Sequence, residues 1–144
     1  IVLNGQLFKS GMLNTSTIGT IPIHTASGYR QLNGIASLIS LEQDLIKKGF
    51  DPKLLIMEKQ LPPESRLMFD AWLEDALEAI KWSIVSVTSV IGTNLVIIDA
   101  HLSKNLIDEI SKKLINLHDD FHWEAIESIT IESGTIGKQA RALG

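Results

Sequence analysis

Between residues 66 and 91 the apolar positions Phe69, Trp72, Leu73, Ala76, Leu77, Ile80, Ile84, Val87 and Ile91 recur in steps of three and four. That is the period of an α-helix. The stretch follows "LPPES" and runs into Gly92, so the spacing predicts one long helix with glycine closing it. Its first half carries Asp70, Glu74, Asp75, Glu78 and Lys81, whereas "SIVSVTSVIG" carries no charge, which predicts an end surrounded by protein. A second helix is predicted over "NGIASLISLEQDLIKKG". Asn33 stands at the N-cap position, Lys47 and Lys48 suit the negative end of the dipole, and Gly49 is placed to terminate. Ile35, Leu38, Ile39, Leu41, Leu45 and Ile46 give it a broad apolar face. "SKNLIDEISKKLINL" is a third, amphipathic helix capped by Ser103, and Asp51-Pro52 opens a short helical turn.

Other stretches follow the period of a strand or run continuously apolar. "IVLNGQLFK" predicts a hairpin, because Asn4-Gly5 suits a two-residue turn between β-prone flanks. Ile21-Pro22-Ile23 predicts an extended segment that proline confines to a sheet edge. "NLVIID" (94–99) is apolar throughout, as in a strand buried on both faces of a parallel sheet. "AIESITIE" alternates, offering Ile126, Ile129 and Ile131 to a core, and "SGTIG" then leads into a last helix, "IGKQARAL". The order predicts an α/β domain with a mixed sheet packed with helices, its last crossover parallel and right-handed. No internal repeat or low-complexity linker divides the chain, so residues 1–144 read as one domain.

Composition narrows the function classes. An apolar fraction of 44% and a net charge of −4 over 144 residues describe a globular domain. Lys and Arg are not clustered, which argues against nucleic-acid binding by this segment. With no cysteine there is neither a disulfide nor a thiolate nucleophile or ligand. Apolar runs such as Leu95 to Ile98 are too short to span a bilayer, and no secretory pattern opens the chain. The start on Ile1 suggests a piece of a longer protein.

Ligands of open α/β sheets favour the carboxyl ends of strands. Here those ends are "DAHLS" (99–103) and "SGTIG" (133–137). The second offers backbone N–H groups to an anion, although such connections are rich in Gly, Ser and Thr for turn geometry alone. The first has no glycine, and Asp99 would repel an anion. His118 and His122 lie four apart but lack an obvious third ligand and read as a solvated helix end. His24 and His101 are isolated, and Trp72, Trp82 and Trp123 read as core or interface anchors.

In order and across all 144 positions, "IVLNGQLFKSG", "STIGTIPI", "NGIASL", "VIIDAHLS" and "SGTIGKQARALG" resemble one family. It is the C-terminal lobe of the ROK family, the sugar kinases and sugar-responsive transcriptional repressors with an actin-like, ribonuclease-H-like fold. The resemblance implies that fold here. It also places the kinases' sugar-contacting Glu-x-Gly-His segment on Thr17, Gly19 and Thr20, where only the glycine is kept. Aligned on Gly34, the kinases' three zinc-binding cysteines fall on Gly28, Arg30 and Ile35, and a second sugar-contacting Glu on Ser37. None of these side chains replaces a thiolate, so the resemblance implies no metal. Asp99, Ala100 and His101, with Gly134 across the loop, occupy the place of the kinases' glycine-lined nucleotide loop. No cofactor follows.

These departures resemble the regulator branch rather than the kinases. The implied protein is a non-catalytic, cytoplasmic, ligand-sensing and dimerisation lobe of a sugar-responsive regulator. It would take a sugar or sugar phosphate at neutral partners Thr17, Thr20, Asn33 and Ser37. It would act on DNA only through an N-terminal winged helix that, like the N-terminal lobe, is not in this sequence. Helices 34–48 and 66–91 are the expected core and homodimer surfaces, and no membrane partner is implied. The alternatives are the corresponding lobe of a divergent sugar kinase and a purely structural dimerisation lobe.

Overall fold

The three-and-four spacing is realised as the longest element of the computed structural model, which describes residues 2–3, 6–7, 18–57, 59–115 and 129–139. This helix, α3 (Pro63–Ile91), starts slightly before the predicted bound because Pro63 can hold the first turn, where no backbone N–H is required. It ends where Gly92, at φ 71°, adopts the left-handed conformation and returns its N–H to the Thr88 carbonyl at 2.8 Å. Before it come β1 (Val2–Leu3), β2 (Gln6–Leu7), β3 (Pro22–Thr25), β4 (Gly28–Gln31), α1 (Leu32–Ala36) and α2 (Leu38–Lys47). After it come β5 (Leu95–Ile98), α4 (Lys104–Ile115) and β6 (Thr130–Ser133). Short 3-10 turns cover Ile18–Thr20, Pro52–Ile56 and Gly137–Gln139.

The protein is mixed α/β, but its described strands form three two-stranded sheets rather than one mixed sheet. β1 and β2 are antiparallel, with Val2 opposite Leu7 and Leu3 opposite Gln6, while Asn4 and Gly5 of the predicted turn lie outside the described residues. β3 and β4 are antiparallel, and β5 and β6 are parallel with α4 between them in sequence. The predicted extended segment at Pro22 is therefore half of a hairpin. Its partner, "GYRQ", is exposed or half-buried along its length and so has no hydrophobic alternation to betray it. His24 and Tyr29 face each other across this pair as an edge-to-face aromatic contact at 5.1 Å.

Phe69 and Leu73 of α3, Leu41 and Leu45 of α2, Leu55, Leu102, and Leu106, Ile107, Ile110 and Leu114 of α4 make the main core, with Ile131 from β6. Ile23, Ile35 and Ala79 form a smaller cluster under the β3–β4 hairpin. The 3-10 turn after Asp51 is as predicted: the Asp51 carboxylate accepts the Lys53 N–H, and the Leu55 carbonyl accepts the Ser103 N–H just before α4.

Five expectations are corrected. Asn33 is not an N-cap; it lies inside α1. The single predicted helix breaks at Ser37, which is extended (ψ 131°) and caps α2 by accepting the Ile39 N–H on its hydroxyl. The Ser40 hydroxyl donates to the Ser37 carbonyl, so two local side-chain bonds outcompete helix continuity. The face of α2 is narrower than predicted, with Ile39 and Ile46 exposed. The uncharged end of α3 is not surrounded by described residues, for Val90 is 87% exposed. One face of this end is buried, at Ser83, Ile84 and Thr88, and Ser83, Ser86, Thr88 and Ser89 donate to carbonyls one turn back, so their hydroxyls are satisfied within the helix on both faces. β5 is covered on one face only: Val96 and Ile98 pack on the core, whereas Leu95 and Ile97, which alternate onto the other face, are exposed.

Arg66 fastens α3 to α4. Its guanidinium donates to both Asp70 oxygens at 3.0 and 2.6 Å and to both Glu109 oxygens at 2.8 and 2.6 Å, 5.4 Å from the Phe69 ring centre. The Glu109 bonds first, and then the Asp70 bonds, raise its already high pKa. Arg66→Ala is expected to cost about 1–2 kcal/mol, the range of a partly exposed bidentate network. Arg66→Lys should recover less than half, since an ammonium lacks the planar fork. Urea titration measures both, and a loss under about 0.5 kcal/mol would mean the clasp is energetically idle.

Candidate functional site

The carboxyl ends of β5 and β6 lie side by side, because the parallel register sets Ile98 opposite Ser133. The chain after each strand therefore turns away at the same edge. Asp99, the first residue beyond β5, reaches across to the loop after β6. Its Oδ2 accepts the Ile136 N–H at 2.9 Å, and its Oδ1 accepts the Gly137 N–H at 2.8 Å and its neighbour Ala100 N–H at 2.9 Å. The N–H groups that made "SGTIG" a candidate anion cradle are therefore filled by a carboxylate of the same chain. Asp99 does more than repel an anion; it is the anion bound there.

Gly134 makes this possible. A Cβ at that position would overlap the Asp99 carboxylate and its Cβ, so no larger residue fits beneath the bridge. The Gly134 N–H donates to the Ile98 carbonyl at 2.7 Å, fixing the loop to the strand. Ala100 packs against the core, and His101 is half-buried with an Nδ1 that has no hydrogen-bond partner among the described residues. Of the four positions aligned with the nucleotide loop, the structure thus brings Asp99 and Gly134 into direct contact.

One turn into α4, Asp108 ties this corner together. It receives Lys104 Nζ at 2.6 Å and the Ser133 hydroxyl, and Lys104 also approaches the Gly134 carbonyl at 3.5 Å. The Lys104 bond first, and then that from Ser133, hold the Asp108 carboxyl below its ordinary 3.8. Its contribution is complete above that value and is lost as pH falls through the lowered one. Asp108→Asn should accordingly show a smaller loss of stability than the parent between about pH 6 and pH 3 in paired urea titrations. Equal losses would remove Asp108 from the acid response.

Among the predicted sugar-contacting residues, Thr17 lies outside the described residues. Thr20 ends the turn Ile18–Thr20, exposed, and that turn rests on α1. A Cβ on Gly19 would come within 3.3 Å of the Asn33 Cβ, so loop and helix meet at this glycine. The Leu32 N–H donates to the Ile21 carbonyl at 2.9 Å and holds that meeting in place. Gly19 and Asn33 are thus together, while Ser37 sits at the α1–α2 junction with its hydroxyl already used as a cap. No protein-family model and no curated protein matches the chain. The site therefore rests on its own chemistry.

Around Gly34, Arg30 Nη2 donates to the Gly34 carbonyl at 2.7 Å, and Arg30, Gly34 and Ile35 line one cavity. Gly28 lies at the far end of β4. No group of three or more His, Asp or Glu among the described residues is placed to hold a metal ion. His118, His122, Trp123 and Ile126 lie outside the described residues. The Ile136 and Gly137 N–H groups are the partners that sequence reasoning did not assign. Their signal, an Asp ending one strand and a glycine-rich turn after the next, becomes readable only once the strands are known to be parallel neighbours.

Proposed function

We propose that this chain is a non-catalytic, ligand-sensing lobe of a sugar-responsive regulator of the ROK type, with an actin-like, ribonuclease-H-like architecture. The observation that carries this reading is the Asp99 carboxylate seated in the 134–137 loop. A phosphate brought to that loop would have to displace two N–H···O⁻ bonds and then sit beside the displaced charge. This speaks against nucleotide-dependent chemistry at the strand ends and for a protein that kept the fold without phosphoryl transfer. The parallel β5–α4–β6 unit supports the architecture.

In this reading a sugar or sugar phosphate binds where the Ile18–Thr20 turn meets α1, with Thr20 and Asn33 as neutral partners. The bound ligand favours one arrangement of a cytoplasmic homodimer and passes it to DNA-binding heads by population shift. No described helix is long and apolar enough to cross a membrane. The test is thermal denaturation of the full-length protein with a panel of hexoses, hexose phosphates and ATP. A ligand bound to the native state raises the midpoint, by about 2.7 kcal/mol of stabilisation at one hundred times Kd. A shift with a sugar and none with ATP is expected. ATP-dependent phosphorylation of any hexose would replace the proposal with a divergent kinase, and silence to every sugar would leave a structural lobe.

A further inference from the structure

Apart from the strand ends, the junction of β4, α1, α2 and α3 forms an open cavity of about 380 Å³. That lies within the range of small-molecule sites, roughly 300–1,000 Å³. Four elements converge on it, unlike the groove along α4, whose lining all comes from one helix. Ile35, buried, belongs to its lining, and Trp72 forms a wall. The Trp72 indole N–H is buried and has no acceptor among the described residues. Buried donors are rarely left so. Arg30, Asp44 and Asp75 in its lining supply exposed charge of both signs.

We infer that this cavity binds a zwitterionic α-amino acid with an apolar side chain. The guanidinium of Arg30 takes the ligand carboxylate; one of its nitrogens already donates to Gly34, which steadies the group, and its remaining donors are those of a planar fork. The ammonium goes to Asp75, since Asp44, the other carboxylate of the lining, already holds Lys47 at 2.7 Å. The apolar side chain covers Ile35 and the Trp72 ring. Two carboxylates against one guanidinium disfavour phosphate and other simple anions. A polyol would leave the apolar lining uncovered. This inference is independent of the sugar reading, since none of Thr20, Asn33 or Ser37 lines the cavity.

The test is titration of the intact protein with L-leucine, read by calorimetry and by the Trp72 indole N–H resonance, assigned with Trp72→Phe. L-leucine should bind and move that resonance. L-leucinamide, without the carboxylate, and isocaproate, without the ammonium, should each bind at least tenfold more weakly. Arg30→Ala should abolish the preference for leucine over leucinamide, and Asp75→Asn the preference over isocaproate; both positions are exposed, so the fold is retained. Absence of leucine binding, retained preferences in the two variants, or a larger response to D-glucose than to leucine would each overturn the assignment.

Discussion

Gly134→Ala is expected to lower the unfolding free energy by about 3 kcal/mol, the upper range for forcing an extra methyl into a filled site. The added Cβ would coincide with Asp99, and the clash reaches Asp99 Cβ as well as its carboxylate, so rotation of the side chain cannot relieve it. Either the loop lifts away from β5, breaking the Gly134 to Ile98 backbone bond, or Asp99 abandons the Ile136 and Gly137 N–H groups. Both routes leave polar groups of a tight corner unpaired. The cause can be isolated with Asp99→Gly, which removes the atoms that collide. That variant alone loses three charge-assisted bonds and should itself be destabilised. In its background, however, adding Gly134→Ala should cost under about 1 kcal/mol, giving a coupling of about 2 kcal/mol in a double-mutant cycle. Strict additivity of the two changes in urea titrations would show that Asp99 is not what Gly134 accommodates.

The same corner shows why part of the site was legible in sequence and part was not. An Asp at the end of an apolar strand and a Gly-rich turn after the next strand are local features, and both were readable. Their meeting spans 37 and 38 positions and depends on β5 and β6 being parallel neighbours in register, which no local period encodes. Reading Asp99 as a charge hostile to anions had the sign right and missed that the carboxylate is itself the guest. The helices divide similarly. α3 and α4 were legible because long amphipathic periods dominate local preferences. The break at Ser37 was not, because serine is compatible with a helix interior and caps one only when its hydroxyl turns to the Ile39 N–H. Gly34 nearby weakens the helix further, which favours a junction at this point. β4 was missed for the opposite reason: only its pairing with β3, which buries Ile23 on the other strand, makes "GYRQ" a strand.

Phe69→Ala should remove a large share of the protein's stability, about 4 kcal/mol out of the 5–15 typical of a domain. Phe69 is fully buried in the first half of α3, in the core that α3 shares with α2 and α4. Its ring lies 5.8 Å from that of Trp72 and beneath the Arg66 guanidinium. Truncation therefore opens a cavity, removes an aromatic pair and takes away the surface on which the Arg66 clasp rests. The last effect separates this position from an ordinary core residue. If the ring positions the guanidinium, then Arg66→Ala should cost less in the Phe69→Ala background than in the parent, by about 0.5–1 kcal/mol. Phe69→Leu keeps most of the volume and should cost far less, about 1.5 kcal/mol. Thermal and urea unfolding followed by circular dichroism measure all four proteins. A loss under about 1.5 kcal/mol for Phe69→Ala would mean that the core closes over the gap, and an unchanged cost of Arg66→Ala would detach the clasp from the ring.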